Sequence, residues 1–309
     1  RDKVLKFEGG FHGMGDVALM SNQWLPAPLD PPRPVPVSAG IPASAARDVI
    51  VARFNDTAGT VELIERFQDE LAAVIVEPMQ RTLQPVPGFL QAVREATARL
   101  GIPLVFDEVV TGFRLALGGA QEYYGVIPDL CAMGKSISAG LPLGLVCGRA
   151  DIMSLAEPAR RETGAWVALT GTYSGNPVVA SAALAAIEVL ERPGTYERLF
   201  ATGRRLMDGL RRALAAAGLA AHVTGEPPAF EAWFTDEEVT DFRAVARSDH
   251  RLGRRFAERL IDRGILKAHE KFFVSLAHDA DDVDRTIRAF EAAALELAAS
   301  PPSIDENLV

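Results

Sequence analysis

The sequence has little of what disulfide-rich, metal-binding and membrane proteins require. Cysteine occurs only twice in 309 residues, at Cys131 and Cys147, which is too few for a disulfide framework and lacks the spacing of a metal site. No apolar run approaches the roughly 18 residues that a membrane span requires, and no basic-then-apolar signal segment opens the chain. We therefore expect reduced core thiols, no metal, no membrane association and a cytoplasmic location.

Clustered positive charge is also absent. The net charge is −9, and no run of lysine or arginine is longer than two residues, which argues against a nucleic-acid or anionic-membrane surface. The content of 48% hydrophobic and 24% charged residues is ordinary for a globular protein, and the length suffices for one large domain and a smaller one. Small molecules are the expected partners.

Two short apolar runs predict buried parallel strands that end in acidic residues. The run at 72–76 is followed by Glu77, the run at 102–106 is followed by Asp107, and apolar residues at helical spacing lie between them. This is the pattern of a right-handed β-α-β unit, in which ligands bind beyond the carboxyl ends of the strands. Glu77 and Asp107 are therefore expected beside a ligand.

Two further runs, at 129–133 and 143–147, are candidates for short strands that place Lys135 in the turn between them. The chain begins at Arg1, without methionine, in what reads as the middle of an α/β domain. We expect that an N-terminal part of the natural protein precedes it, since buried strand edges would otherwise lack partners.

A proline-rich stretch interrupts the first half of the chain. Residues 23–42 contain seven prolines, which exclude a helix or a central strand and predict a long loop. Loops of this length are usually lids or linkers, and we favour a lid because strand-like sequence flanks this one on both sides.

The pattern changes again near Pro193. Asn176 and Pro177 predict the start of an Ala-rich helix, whereas helices and short strands alternate after position 193, with one short strand predicted at 272–276. We expect a large domain at 1–193, a small α/β domain at 194–299 and a flexible polar tail at 300–309.

Asp107 and Lys135 together predict a pyridoxal phosphate site. Chemistry at the carbon that carries an amino group requires an electron sink, and this cofactor becomes one under two conditions. An amine must hold its aldehyde as a Schiff base, and a carboxylate must keep its ring nitrogen protonated. Lys135 offers the amine and Asp107 the carboxylate.

Several phrases of the sequence support this interpretation together. They are KFEGG and FHG at 6–13, VEP at 76–78, LVFDEVVTGFR at 104–114, MGK at 133–135 and GTYSGNP at 171–177. The set resembles the class III aminotransferases, which are fold type I pyridoxal phosphate enzymes, and most closely the branch that contains glutamate-1-semialdehyde aminomutase. The resemblance implies an α/β fold in which helices flank a mostly parallel sheet, with a smaller C-terminal α/β domain and with the N-terminal segment absent.

The resemblance also implies roles for individual residues. Lys135 is similar to the Schiff-base lysine that also moves the proton, and Asp107 is similar to the carboxylate on the ring nitrogen. Val109 lies two residues along the strand and faces the same way as Asp107, so it would pack on one face of the ring. Phe11 matches the aromatic residue on the opposite face. His12, in the same turn, could equally be a structural histidine.

Other expectations are less direct. Gly13 belongs to the turn of Phe11, and Thr172 resembles the threonine that reaches the partner's cofactor phosphate in a homodimer with shared active sites; a structural cap is the alternative for Thr172. Glu77 and Glu108 are expected to orient the site through hydrogen bonds, although a plain strand-end carboxylate is nearly as good an account of Glu77.

The sequence departs from the family in three places. The phosphate-binding Ser-Gly-Thr turn and the substrate arginine of the aminomutase precede the region that Arg1 matches. The loop after Glu77 is shorter and carries Gln80, and the phrase at 266–273 differs from that of the aminomutase. Gln80, His269 and Glu270 are therefore candidate substrate contacts, or the last two form a charged turn.

Three functions remain open at this point. The first is a homodimeric aminotransferase that moves an amino group between an amine donor and a carbonyl compound. The second is an aminomutase that uses the same site on one molecule, for which a lid would retain the intermediate. The third is a truncated, non-catalytic homologue that acts as a structural or interaction subunit, against which the intact Asp107 and Lys135 argue.

Overall fold

The computed structural model describes residues 1–267 and 270–299, and the chain divides into two compact units. Unit 1 comprises Arg1–Arg81 and Pro85–Pro193, and unit 2 comprises Thr82–Gln84 and the chain from Gly194 onward. The predictions for His269 and for the tail at 300–309 lie outside the described residues.

Unit 1 is a sheet with helices. Its strands are β1 (Lys3–Phe7), β2 (Val49–Ala52), β3 (Leu71–Val76), β4 (Leu104–Glu108), β5 (Leu130–Gly134) and β6 (Gly144–Gly148). Its α-helices are α1 (Thr57–Arg66), α2 (Phe89–Arg99), α3 (Gly119–Tyr123), α4 (Ala150–Met153) and α5 (Pro177–Leu190). Short 3-10 helices occur at Ala45–Asp48, Lys135–Ser138, Ser154–Ala156 and Pro158–Thr163.

The sheet order is β2-β1-β3-β4-β5-β6, with β6 antiparallel to β5 and the other neighbours parallel. The strands predicted from the apolar runs are confirmed as β3 to β6, within two residues at each end. Parallel strands are buried on both faces, which explains why they read as continuous apolar runs. Because β1, β3, β4 and β5 are neighbours, their carboxyl ends form one edge of the sheet, where ligands bind in such folds.

Aromatic residues pack helix α2 onto this sheet. Phe7, Phe54 and Phe89 are almost fully buried, and their rings meet edge to face with centroids 5.0 to 6.1 Å apart. Such pairs contribute about 0.5–1.5 kcal/mol beyond the area that they bury. Phe7 ends β1, so this cluster fixes the strand that leads into the turn of Phe11.

The long loop predicted at 23–42 is confirmed, since the structure assigns no helix or strand to these residues. Ser21 lies just before the loop and bonds to its middle: the Ser21 hydroxyl donates to the Arg33 carbonyl at 2.8 Å and accepts the Val35 N–H at 2.9 Å. The middle of the loop is therefore held beside its own start. Its role as a lid stays a prediction.

Unit 2 combines helices with a small antiparallel sheet in the order β7-β8-β9. Its elements are α6 (Thr195–Ala216), β7 (His222–Glu226), β8 (Ala229–Trp233), α7 (Phe242–Arg247), α8 (His250–Asp262), β9 (Phe272–Phe273) and α9 (Ala280–Ala299). Its core includes Phe230, Phe256 and Phe290, each at most 1% exposed. Burying a phenylalanine stabilises a fold by roughly 1.5–3 kcal/mol, so these three residues anchor the helices to the sheet.

Two expectations need correction. The strand predicted at 272–276 is only two residues long. Phe272 and Phe273 pair with the first two residues of β8, and β8 offers no partner beyond them. The last backbone bond, from Val274 N–H to the Pro228 carbonyl, lies just before β8 begins. Both cysteines are free, but only Cys131 is buried. Cys147 is exposed because β6 is an edge strand of the described sheet, so the prediction of a core thiol is wrong for Cys147.

In residues 1–267 and 270–299, no helix combines the length and the apolar character needed to cross a lipid bilayer.

Candidate active site

Asp107 lies at the carboxyl end of β4 and is fixed by two hydrogen bonds. Its Oδ1 accepts the Val109 N–H at 3.1 Å, and its Oδ2 is 2.9 Å from Nδ1 of His12. The His12 and Asp107 side chains are only 4% and 11% exposed. Because a carboxylate can only accept, Nδ1 of His12 carries the proton of this bond. Each oxygen of Asp107 keeps a lone pair for a further donor.

The bond to His12 joins two neighbouring regions of the sheet edge. His12 comes from the turn after β1, and its ring packs against Gly10, where an added Cβ would lie 3.1 Å from Nε2. That Nε2 atom is buried and has no hydrogen-bond partner among the described residues. The structure therefore brings the predicted His12 and Asp107 together.

Lys135 follows the next strand, β5, and begins a short 3-10 helix. Its φ of 48° is in the left-handed region, which a residue with a side chain adopts only when its surroundings hold it there. The Ser136 hydroxyl donates to the Gly112 carbonyl at 2.7 Å, and the Ser138 hydroxyl donates to the Lys135 carbonyl at 2.6 Å. The first bond ties the lysine turn to the turn that follows Asp107, and the second closes the lysine turn itself.

The pKa of Lys135 is lowered from its ordinary value. Desolvation is the largest cause, although the residue as a whole is exposed. Asp107 and Glu77 oppose that shift, and the positive charges of Arg81 and Arg114 add to it. The side chain therefore lies within electrostatic reach of Asp107, and its amine is more available than that of an ordinary surface lysine.

Val109 lies against the backbone that leads to Lys135. A Cβ added to Gly134 would be 3.7 Å from Cγ1 of Val109 and 3.2 Å from the Leu143 carbonyl oxygen. The absence of a side chain at Gly134 thus leaves room between the valine and the lysine turn. The predicted Val109, Asp107 and Lys135 share one small region.

The turn of Phe11 is anchored to the end of β3. The Phe11 N–H donates to Oε1 of Glu77 at 2.9 Å, and Oε2 of Glu77 accepts the Arg81 N–H at 3.2 Å. Gly13 has a φ of 95°, which glycine adopts without strain. The Phe11 ring meets Trp24 edge to face, with centroids 5.5 Å apart. Glu77 therefore orients the turn, and the proline-rich loop begins beside it.

Glu108 is fully buried and organises the other side of β4. Its carboxylate accepts hydrogen bonds from the Thr111 hydroxyl, from the backbone N–H groups of Ala120 and Gln121 and from the Gln121 side chain, at 2.5 to 3.3 Å. Burial raises the pKa of Glu108, and these donors oppose the shift. It fixes the turn after Asp107 to α3 and does not itself contact Lys135 through any described hydrogen bond.

The remaining predicted residues have other surroundings. The Gln80 amide is buried and donates to the Glu8 carbonyl at 2.6 Å. Thr172 is exposed and, within the described part of the chain, shares no hydrogen bond with the residues above. Glu270 belongs to unit 2, where its carboxylate is 3.6 Å from the Lys271 ammonium.

Lys267 belongs to the same phrase at 266–273. It is buried and donates to Oε2 of Glu231 at 3.0 Å. Burial raises the pKa of Glu231, and the Lys267 charge opposes this. This part of the altered phrase therefore serves the interior of unit 2.

Three residues that support the site were not predicted from the sequence: Lys6, Trp24 and Arg114. Arg114 is half-buried; the burial of its guanidinium lowers its pKa to about 10, and its Nε donates to the Val110 carbonyl at 2.8 Å. Lys6 and Arg114 lie inside the quoted phrases, so their placement in an apolar context was the available signal. Trp24 lies in the proline-rich loop, and nothing in the sequence links it to Phe11.

Comparisons with known proteins agree with this geometry. Residues 1–293 match the family model described as aminotransferase class-III. Glutamate-1-semialdehyde 2,1-aminomutase of Pelotomaculum thermopropionicum is 42% identical over 295 residues, which cover 94% of this chain and 66% of the relative. The chain thus spans about two thirds of the length of the curated relatives it matches.

Two solved structures share the fold. An omega-transaminase from Sphaerobacter thermophilus has a TM-score of 0.88 and 36% identity, over 97% of this chain and 69% of the other. A structure described as a transaminase with PLP bound has a TM-score of 0.86 and 26% identity, over 97% of this chain and 68% of the other. The predicted fold type I α/β architecture is confirmed.

The residues in place fit pyridoxal 5'-phosphate, the cofactor bound in that second structure. Asp107 offers a fixed, mostly buried carboxylate with free lone pairs, and Lys135 offers an amine whose pKa is lowered. The buried Nε2 of His12 adds a polar atom without a described partner. With the family model matched over nearly the whole chain, this protein belongs to the class-III aminotransferase family.

Proposed function

We propose that the protein is a pyridoxal phosphate-dependent aminotransferase that moves an amino group between an amine donor and a carbonyl compound. One observation carries the proposal. Asp107 lies at the carboxyl end of β4, Lys135 follows the neighbouring strand β5, and the two are close enough that the carboxylate raises the pKa of the amine. A carboxylate for a ring nitrogen and an amine for an aldehyde are the two groups that this cofactor requires.

The cofactor supplies, when bound, an electron sink that no side chain provides. Asp107 would hold its ring nitrogen, with His12 and the Val109 N–H keeping the carboxylate in place. Val109 and Phe11 would enclose the ring. The Lys135 amine would hold the cofactor through its aldehyde and would also serve as the base that moves a proton from the substrate carbon to the cofactor carbon. Its lowered pKa keeps more of it in the neutral form that this step needs.

An aminomutase is the second candidate, because the 42% identical relative carries that name. The same Asp107 and Lys135 would serve both reactions. The omega-transaminase, at 36% identity and a TM-score of 0.88, supports the first candidate. The loop that carries Gln80 and the phrase at 266–273 differ from those of the aminomutase, and these differences also favour the aminotransferase.

A single-turnover experiment separates these candidates. Protein saturated with the cofactor is mixed with L-glutamate, L-alanine or a β-amino acid in turn, without an acceptor, and free keto product is measured. We expect stoichiometric release of one keto product per cofactor, because a transaminase completes half of its reaction at this stage. A change of the cofactor absorbance without release of a keto product would instead indicate the aminomutase. Absence of a visible cofactor absorbance band at saturation would reject both and favour a non-catalytic subunit.

We also propose a homodimer whose active sites are shared. Exposed apolar side chains surround Thr172 along the chain, which is unusual for a surface that faces only water. They are Val167, Leu169, Tyr173, Val178 and Leu184, and between 56% and 81% of each is exposed. A second copy would cover them and bring Thr172 to the partner's cofactor phosphate.

We place the protein in the cytoplasm, because both cysteines are free.

Mixing two inactive variants tests the shared site. Lys135→Ala and Thr172→Val are each expected to be nearly inactive alone, since every site of each homodimer lacks one group. In a refolded equal mixture, half of the dimers are hybrids and one site of each hybrid is intact, so about a quarter of the wild-type activity should return. A mixture no more active than its components, or a monomer by light scattering, would contradict the proposal.

A further inference from the structure

Lys6 is a lysine in the interior of unit 1, on β1. It is 1% exposed, and its ammonium donates to three backbone carbonyls: Gly10 at 3.0 Å, Ala18 at 2.9 Å and Met20 at 2.5 Å. Burial lowers its pKa to about 8, and the charge of Glu77 opposes that shift. An ammonium has three N–H groups, so every donor of Lys6 has an acceptor.

The three acceptors enclose the segment that carries Phe11 and His12. The Gly10 carbonyl immediately precedes Phe11, and the other two carbonyls lie at the far end of the same excursion, next to the start of the proline-rich loop. Few backbone bonds hold this segment: Leu19 N–H donates to the Gly15 carbonyl at 2.9 Å, Val37 N–H donates to the Leu19 carbonyl at 3.1 Å, and Gly9 N–H donates to the Ser21 carbonyl at 2.8 Å just outside it. The buried cation adds a second link between the beginning and the end of residues 10–20.

A cation is needed at this point for an electrostatic reason. Three carbonyl oxygens converge on one position in the interior, where their partial negative charges repel one another and each loses its water. An apolar side chain of the same length would leave all three unsatisfied, and burying an acceptor without a partner is costly. The segment would then move to reach water, and with it the residues that it carries.

We infer that Lys6 is a positioning residue for the cofactor site, an inference that rests on the proposed function. Its ammonium fixes residues 10–20 so that Nδ1 of His12 meets Oδ2 of Asp107 at 2.9 Å and the Phe11 N–H meets Glu77 at 2.9 Å. Lys6 touches neither substrate nor cofactor. Through His12 it aligns the Asp107 carboxylate, which would contact the cofactor.

Hydrogen exchange followed by mass spectrometry, on protein without added cofactor, tests the first half of this inference. Lys6→Met is one atom shorter, stays unbranched and removes all donors, whereas Lys6→Gln offers an amide with two N–H groups. We expect amides of residues 9–22 to exchange at least about tenfold faster in Lys6→Met, with a smaller increase in Lys6→Gln and no change in β3, β4 and β5. Lys267→Met, the same change at a buried lysine of unit 2, should leave residues 9–22 as in the wild type.

Cofactor titration tests the second half. Lys6→Met should bind pyridoxal 5'-phosphate at least about tenfold more weakly, and the pH at which the absorbance of the bound cofactor changes should shift, because Asp107 is no longer aligned by His12. Lys6→Gln should recover part of both effects. If Lys6→Met does not fold, Lys6→Gln carries the comparison against the wild type.

The outcomes separate Lys6 from the proposed function. Unchanged exchange at residues 9–22 would overturn the inference, as would faster exchange with wild-type affinity and absorbance, which would leave Lys6 a purely structural role. A wild-type protein that fails to take up the cofactor would overturn the proposed function itself. The exchange result for Lys6 would still report whether the ammonium fixes the turn.

Discussion

Replacing Lys135 by alanine is expected to lower turnover at least about 10⁴-fold. Two functions are lost together, because the same amine attaches the cofactor and moves the proton; a positioned acid or base alone contributes roughly 10²–10⁴-fold. The lowered pKa of Lys135 supports this dual role, since desolvation favours the neutral amine. The measurement is single-turnover product formation, together with borohydride reduction of the protein, which should fix the cofactor to the Lys135 peptide of the wild type only.

Lys3→Ala is the matched control. Lys3 is also in unit 1, but it lies at the start of β1, away from the carboxyl edge of the sheet where Lys135 lies. There it pairs with Glu70 at 2.7 Å. This variant should keep its turnover and its reducible cofactor bond. A Lys135→Ala protein that retains either the covalent bond or more than about a hundredth of the activity would refute the assignment of Lys135, because no second amine should replace it.

The sequence predicted the edge of the sheet well because buried parallel strands carry a simple signal. Each strand is an apolar run, and the first polar residue after it lies at the carboxyl end, where neighbouring strands converge. Glu77, Asp107 and Lys135 were located in this way. The parallel order of β1, β3, β4 and β5 then placed them together without any knowledge of side-chain contacts.

Other features were out of reach for physical reasons. The direction of β6 is not encoded in an apolar run, since parallel and antiparallel neighbours use the same residues on the strand. Lys6 looks like a solvated charge on a strand until three carbonyls are seen to converge on it. The contact of Phe11 with Trp24 depends on the path of a proline-rich loop, which local sequence does not determine.

The relation between His12 and Asp107 shows how a motif and a structure complement each other. In the sequence, His12 could be structural or could serve the site, and the two interpretations were equal. The structure gives it one nitrogen on Asp107 and another that is buried without a described partner. A structural histidine would also take a buried carboxylate as its partner, so the role of His12 at the cofactor stays a prediction.

Asp107→Asn is expected to lower turnover by about 10³-fold while the fold is retained. The amide has the shape of the carboxylate, and its oxygen can still accept the Val109 N–H. Its NH₂ group, however, then faces Nδ1 of His12, which must give up its proton to accept. The charge that favours a protonated ring nitrogen is lost, and removing one such electrostatic partner typically costs 10²–10³-fold or more.

The same substitution has a second, independent consequence. Asp107 is the largest influence that raises the pKa of Lys135, against the desolvation that lowers it. Without the charge, the pKa of Lys135 falls further, so the acidic limb of the pH profile moves to lower pH. Stopped-flow turnover across pH measures both effects, and Glu108→Gln, which alters a buried carboxylate one residue away, is the control for general disturbance of β4. An Asp107→Asn profile that coincides with the wild type would show that the carboxylate does not act on the cofactor or on Lys135.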